Sequence, residues 1–459
     1  MQKIYLITDY GAFPDTDTLQ TDFIQSAIDE CFRNGGGEVV VPRGSFRIGD
    51  IRLRSHVTLK LMSGACLIGS RNPEEYFHYL NDALEPLPES YVTEQLWSRF
   101  RSTALTGRYD PEDESYDFVR KTGSRWNNAL IRAIDACDIA IVGEEDSVID
   151  GDNPFDEIGE ENYRGPHGMT FYNCRNIDLS GYTIKNTGNW AHNTHRCENI
   201  ELQGVTVLAG HDGIHMSACT NLKIEDSVFK TGDDCIAGFA NVNILVRNCY
   251  INSSCSAFRF GGTNLIVRDC ELAGPGEYAF RGSFSIEDKR AGVPSPTEGG
   301  RRNMLSAFTY YADYSLPIAE KPGNILIEHC RFKNVDRFLH YNFSGNETWQ
   351  RQRPLSDIRF ENIEADGVRM PLSAYGGADE PLDLTLRDVD VRFTGNAAAF
   401  LWVCNYDRVL LERVSIVGLG VDSKLIESWS DGEVILRNVK HDAGAEIVRA
   451  EREFSCQAI

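Results

Sequence analysis

The sequence predicts an all-β fold, a single-stranded right-handed parallel β-helix closed at its N-terminal end by one capping helix. Three observations predict it. An Asn followed by alternating apolar residues recurs at Asn176, Asn199, Asn221, Asn243 and Asn264, in steps of 23, 22, 22 and 21 residues. A period in the low twenties built of short period-2 strands is one coil of a solenoid, which must stack on the next to bury its apolar side. Cysteines keep the same phase: Cys174, Cys197 and Cys219 stand two residues before a repeat Asn, and Cys249, Cys270 and Cys330 stand six after one. Stacked, they read as columns of small apolar filler. Finally, Gly and Pro punctuate short strands along the chain. The right hand follows from the crossover rule for parallel strands.

Taken in order, Tyr5 to Ala12 begin as a strand and end in a turn at Gly11. Thr21 to Gln25 open a helix whose Ile24, Ala27, Ile28, Cys31 and Phe32 recur at helical spacing, and Gly35-Gly36-Gly37 stops it. This is the expected cap. The first coils follow as Glu38 to Phe46, Val57 to Leu61 and Gly64 to Ser70. The periodicity then stops in a long insertion, 72–125, whose Tyr76, Trp97, Tyr109 and Tyr116 suit an ordered flap walling a groove. Coils resume at Asn128 to Ile131 and Ile139 to Gly143 and run to about Leu272. A second insertion, 274–323, carries Arg281, Lys289, Arg290, Arg301 and Arg302. Repeats return at Asn324, Asp357, Leu382, Val409 and Val434, with no polar constellation, so these coils read as scaffold. The expectation is one domain over residues 1–459.

A formal charge of −22 argues against nucleic acid and anionic membranes as partners, since both need a basic face. A polyanionic ligand would need a local basic pocket. No apolar run approaches the ~18 residues of a membrane span, and Met1 to Leu6 lead straight into a strand with no signal-peptide core. A cytoplasmic protein is expected, with a secreted mature form as the alternative. Thirteen Cys, an odd number without framework spacing, read as reduced thiols. No Cys/His spacing suggests zinc, and neither a metal nor a cofactor is expected.

The chemistry gathers at Gly210-His211-Asp212-Gly213-Ile214-His215 and Thr231-Gly232-Asp233-Asp234-Cys235. Asp212 and Asp233 are 21 positions apart, which is one coil, and neighbouring coils lie ~4.8 Å apart. Three carboxylates therefore meet on one face, with Asp212 and Asp233 expected one above the other. Hydrolysis of a glycosidic bond needs one carboxylic acid to protonate the leaving oxygen and a carboxylate to activate water. Crowding keeps one of the three protonated while its neighbours stay ionised.

These residues resemble a known family, the polygalacturonases of glycoside hydrolase family 28. The likeness runs through Ile7-Thr8-Asp9-Tyr10-Gly11-Ala12, Val41-Pro42-Arg43-Gly44, Ile149-Asp150-Gly151 and Asn186-Thr187-Gly188-Asn189-Trp190 to Asp212-Gly213-Ile214 and Gly232-Asp233-Asp234-Cys235. It covers roughly the first three-fifths of the chain. The resemblance implies a pectin-lyase-like solenoid in which Asp233 is the general acid, Asp212 and Asp234 hold and deprotonate the water, and the anomeric centre inverts. The chain departs from the family where Gly210 and His215 replace an Asn and an Asp, and where Ser254-Cys255-Ser256 replaces Gly-His-Gly. Phe280-Arg281-Gly282-Ser283 keeps the Arg of Arg-x-Lys and loses the Lys. His211 and His215 are candidates for the lost His, Arg259 and Arg281 for cations gripping an acidic sugar, and Trp190 for a sugar platform. The expected function is exo-acting hydrolysis of short pectin-derived or related oligosaccharides. The alternatives are a lyase or epimerase on the same scaffold, and a non-catalytic glycan-binding β-helix.

Overall fold

Each repeat asparagine turns the corner of a coil. Asn176, Asn199, Asn221, Asn243, Asn264 and Asn324 all have φ between 52° and 61°, the left-handed region that Asn tolerates better than most residues. Their amides then form ladders. Asn199 Nδ2 donates to Asn176 Oδ1 at 3.0 Å and Asn221 Nδ2 to Asn199 Oδ1 at 3.0 Å, while Asn176 reaches Asp138 at 2.7 Å. A second ladder joins Asn264 to Asn243 and Asn324 to Asn264. One residue type thus supplies both the bend and the bond that stacks successive bends.

The computed structural model describes residues 3–76, 128–159, 163–310, 322–345 and 354–450. These divide into two compact units, one made of 3–76, 128–159, 163–235 and 277–302, the other of 236–276, 303–310, 322–345 and 354–450. Nearly all of the insertion expected at 72–125 lies outside the described residues, and so does 311–321 of the second insertion.

In the first unit three columns of parallel strands rise together. One runs from Ile4–Leu6 through Gly37–Val41, Val57–Leu61, Cys137–Gly143, Arg175–Ser180 and Glu198–Gln203 to Thr220–Glu225. A second runs from Gly44–Ile48 to Val228–Thr231. The third climbs through Ala129–Ile134, His167–Tyr172 and His192–His195 to Ile214–Ser217. Alternate residues fill the interior: Val57, Leu59 and Leu61 have no exposed surface, while Thr58 and Lys60 between them are only partly covered. Helix α1, Thr21–Arg33, buries Ile24, Ala27, Ile28 and Cys31 against the first strands of the stack, as a cap must. Phe32 departs from the expected face and is 42% exposed, with the Arg54 guanidinium 5.7 Å above its ring. Gly36, at φ 99°, ends the helix where a Cβ would stand 2.3 Å from the carbonyl oxygen of His56.

The second unit repeats the parallel pattern with longer strands. Asp357–Val368, Leu382–Phe393 and Tyr406–Val417 lie in register, and each bends at a residue of positive φ, Asn362, Asp388 and Arg413, so that one strand serves two columns. The twelve cysteines of the described residues form no disulfide with one another, and ten of them are buried. Cys174 and Cys197 contact through a backbone N–H to sulfur bond of 3.4 Å, as columns of filler should. No helix among the described residues is long and apolar enough to cross a membrane.

Candidate active site

Two turns of the first unit carry the carboxylates. Asp212 lies between strands Thr206–Ala209 and Ile214–Ser217, and Asp233 and Asp234 follow Val228–Thr231. The step between these coils is 22 residues, since Ala209 is opposite Thr231, and the bond from Gly213 N to Asp234 O at 3.0 Å keeps that step through the turn. Asp212 is therefore in register with Asp234, not with Asp233 as the 21-residue spacing suggested. Asp233 sits one position ahead. Its carboxylate oxygens come within 4.8 Å of those of Asp234.

The three differ in exposure. Asp212 and Asp234 are 4% and 2% exposed, whereas the Asp233 side chain keeps 14% of its surface. Close approach of backbone fixes this difference. A Cβ on Gly232 would stand 2.3 Å from the Ala279 carbonyl oxygen and 2.5 Å from that of Gly210, so only glycine lets the turn pack down and present Asp233. Thr231 Oγ1 donates to the Asp233 carbonyl at 2.6 Å and steadies it.

Each buried or half-buried group has a holder. His215 Nδ1 donates to Asp212 Oδ2 at 2.9 Å, and the His215 ring is stacked on Trp190 with centroids 3.8 Å apart and planes 4° from parallel. One face of Trp190 is thereby occupied by His215, and His215 serves the carboxylate. Arg164 Nη2 lies 3.9 Å from Asp233 Oδ2 while its Nη1 donates to Asn189 Oδ1 at 3.0 Å. His192 donates from Nδ1 to the Gly213 carbonyl at 3.0 Å, so its Nε2 accepts from Tyr182 Oη at 2.9 Å. This anchors the Asp212-Gly213 turn from beneath. Burial lowers the His192 pKa to about 4, against which the bond to Gly213 works.

Two of the candidate residues, His211 and Arg281, are buried. His211 has no exposed surface and meets Phe280 edge-on at 5.8 Å. Burial first, then the charges of Arg164, Arg281 and Lys289, hold its pKa well below the usual imidazole range, so it is neutral. Arg281 is 8% exposed, and its guanidinium donates to Asn153 Oδ1 at 2.7 Å and Asn153 O at 2.8 Å, with its own N–H on Gly210 O at 2.9 Å. It straps the second insertion to the Asp turn. Arg259 belongs to the second unit, on strand Ser256–Arg268 opposite Thr309.

Arg164 and His192 carried no sequence signal. Arg164 stands in a loop outside the repeat, and His192 is one polar residue in a buried strand whose partners come from other coils. Among possible metal ligands, His56, Cys137 and Asp138 bring one atom each within 4.8 Å. They lie in another column, and Asp138 is already engaged by Asn176 and His56.

A parallel β-helix bearing stacked aspartates in neighbouring turns defines a class of carbohydrate-active architecture, and comparison with known proteins gives the family. The model of glycosyl hydrolases family 28 matches residues 119–254. A polygalacturonase of Medicago sativa is 33% identical over 425 residues, covering 85% of this chain and 82% of that one, and the chain belongs to this family. A probable polygalacturonase of Vitis vinifera is 29% identical over 243 residues, which is 50% of this chain and 43% of that protein. Against most of the curated relatives it matches, the chain spans about half of their length or less. The fold is shared with a hyperthermoactive exopolygalacturonase of Thermotoga maritima, at a TM-score of 0.51 and 17% identity, over 95% of this chain and 92% of that one.

Proposed function

We propose that this chain is a glycoside hydrolase of the polygalacturonase type that cleaves terminal residues from short oligosaccharides with inversion. One observation carries the reading: of three clustered carboxylates, Asp233 alone is accessible, while Asp212 and Asp234 are in register beside it and buried. An accessible carboxyl is the one that can reach a leaving oxygen, and a pair of fixed carboxylates can hold a water between them. His215 keeps Asp212 oriented for that task. The second insertion supports exo action, because Ala279 and Arg281 pack directly on the Asp turns and wall one side of them. The Thermotoga maritima relative in fold is named an exopolygalacturonase.

The test is Asp233→Asn. Amide and carboxyl have nearly the same shape, so the melting temperature should stay within a degree or two while turnover falls by about 10³-fold or more. Products read by mass and by anomeric configuration should be single sugars released with inverted configuration. Full turnover by the Asn variant would end the assignment of the acid. Mid-chain products from long polygalacturonate would end the exo reading alone.

A further inference from the structure

The C-terminal coils, expected as bare scaffold, carry a polar row. In the second unit Arg259, Thr309, His340, Ser373, Trp402 and Glu427 lie opposite one another in successive coils. Beside it the row Phe258, Phe308, Leu339 is fully buried, so the two rows face opposite sides of the sheet. The exposure along this face is the reverse of what stability alone produces. Arg337, His340 and Glu427 are only 5%, 7% and 5% exposed, yet the indoles of Trp402 and Trp429 are half-buried and reach the surface. Burying charge beside accessible aromatic surface costs stability and is characteristic of binding sites.

The charge at its centre has no anionic hydrogen-bond partner among the described residues. Arg337 donates to Ser373 Oγ at 3.0 Å and to the Met370 sulfur at 3.5 Å, and lies 3.4 Å from His340 Nδ1. None of these partners is anionic. The neighbouring Asp336 spends its carboxylate on Arg369, at 3.0 Å, and on Asn303, and Glu427 spends its own on Lys424 at 2.8 Å. Ser373, held by Arg337 and by His340 at 2.7 Å, is directly opposite Trp402. The indole Nε1 of Trp402 is buried without an acceptor among the described residues, and Tyr375 meets Trp429 edge-on at 6.2 Å. A buried guanidinium with no anion bonded to it among the described residues, and an indole two coils away, match a carboxylate and a pyranose ring of one ligand.

We infer that the second unit holds a binding site for acidic oligosaccharides of its own, with Arg337 for a uronate carboxylate and Trp402 for the sugar face. The inference rests on the proposed function for its choice of sugar. The experiment is calorimetric titration of the Asp233→Asn chain with trigalacturonate, with and without Trp402→Ala. Trp402→Ala should remove one binding event, whichever number the Asp233→Asn chain starts with, and Arg337→Lys should weaken that event at least about ten-fold. A neutral trisaccharide should bind it at least about ten-fold more weakly. Because Trp402 is half-exposed, its variant should fold, which melting checks. If neither variant alters the isotherm, or if inorganic phosphate fills the site equally well in the Trp402→Ala chain, the site is overturned. If the chain with Asp233 intact hydrolyses no oligosaccharide while Trp402→Ala still removes the event, this site stands and the catalytic reading falls.

Discussion

His192 ties acid stability to the geometry of the candidate site. Folded, its imidazole stays neutral down to about pH 4 because burial disfavours the charge, whereas in the unfolded chain it takes up a proton near 6.5. Between those values the unfolded state binds more protons, so stability present above pH 6.5 is lost as the pH falls toward 4, by about 3 kcal/mol for this one group. His195 and His211, also pushed well below the usual range by burial, add in the same direction. We expect the melting temperature to fall steeply from pH 6.5 to 4. His192→Phe should be less stable at pH 7, having lost the bonds to Tyr182 and Gly213, and should show a shallower fall. An equal slope in the variant would assign the acid sensitivity elsewhere. At this scale the sequence was legible for the aspartates, whose motifs announce themselves, and illegible for their holders. His215 was visible beside Asp212, but that it holds Asp212 and stacks on Trp190 depends on which coil lies above which. Arg164 depends on a loop that obeys no period.

The ladders make a strong prediction about the elements. Asn199 receives the amide of Asn221 and gives its own to Asn176 while holding φ 56°. Alanine at this position would keep a strained backbone and lose both bonds, so Asn199→Ala should cost about 2 kcal/mol. Asn199→Gly, free of the strain, should cost less. Thermal melting of the pair separates the two contributions, and equal losses would mean that the backbone strain contributes nothing. The coils themselves were readable because one residue type recurs at nearly constant spacing. The polar row of the second unit was not: Thr309, His340, Ser373, Trp402 and Glu427 are separated by 31, 33, 29 and 25 residues, because loops of different length interrupt the coils. A row that is straight in space has no period in sequence. The register of Asp212 with Asp234 was missed for a related reason, since the repeat varies between 21 and 23 residues and a one-residue error changes the partner.

For the whole molecule the dominant fact is a formal charge of −22. An acidic oligosaccharide approaching such a chain is repelled at long range and attracted only near cations such as Arg164 or Arg337. The two effects respond differently to salt. Exposed charges are screened beyond ~8 Å at physiological ionic strength, while Arg337 and the Arg164 to Asp233 pair are shielded from solvent by the protein itself. Added salt should therefore weaken the repulsion more than the grip, so KM for an acidic oligosaccharide should fall as ionic strength rises from about 0.02 to 0.3 M. The effect should grow with the number of acidic sugars and vanish for a neutral substrate of the same length. Turnover at saturation should stay level, because the carboxylates that act on the bond are buried or nearly so. Initial rates over a salt series with mono-, di- and triuronate substrates test this directly. A KM that rises with salt would mean that a basic patch, and not the net field, governs approach, and would shift attention to the cationic insertion containing Arg281, Lys289, Arg290, Arg301 and Arg302.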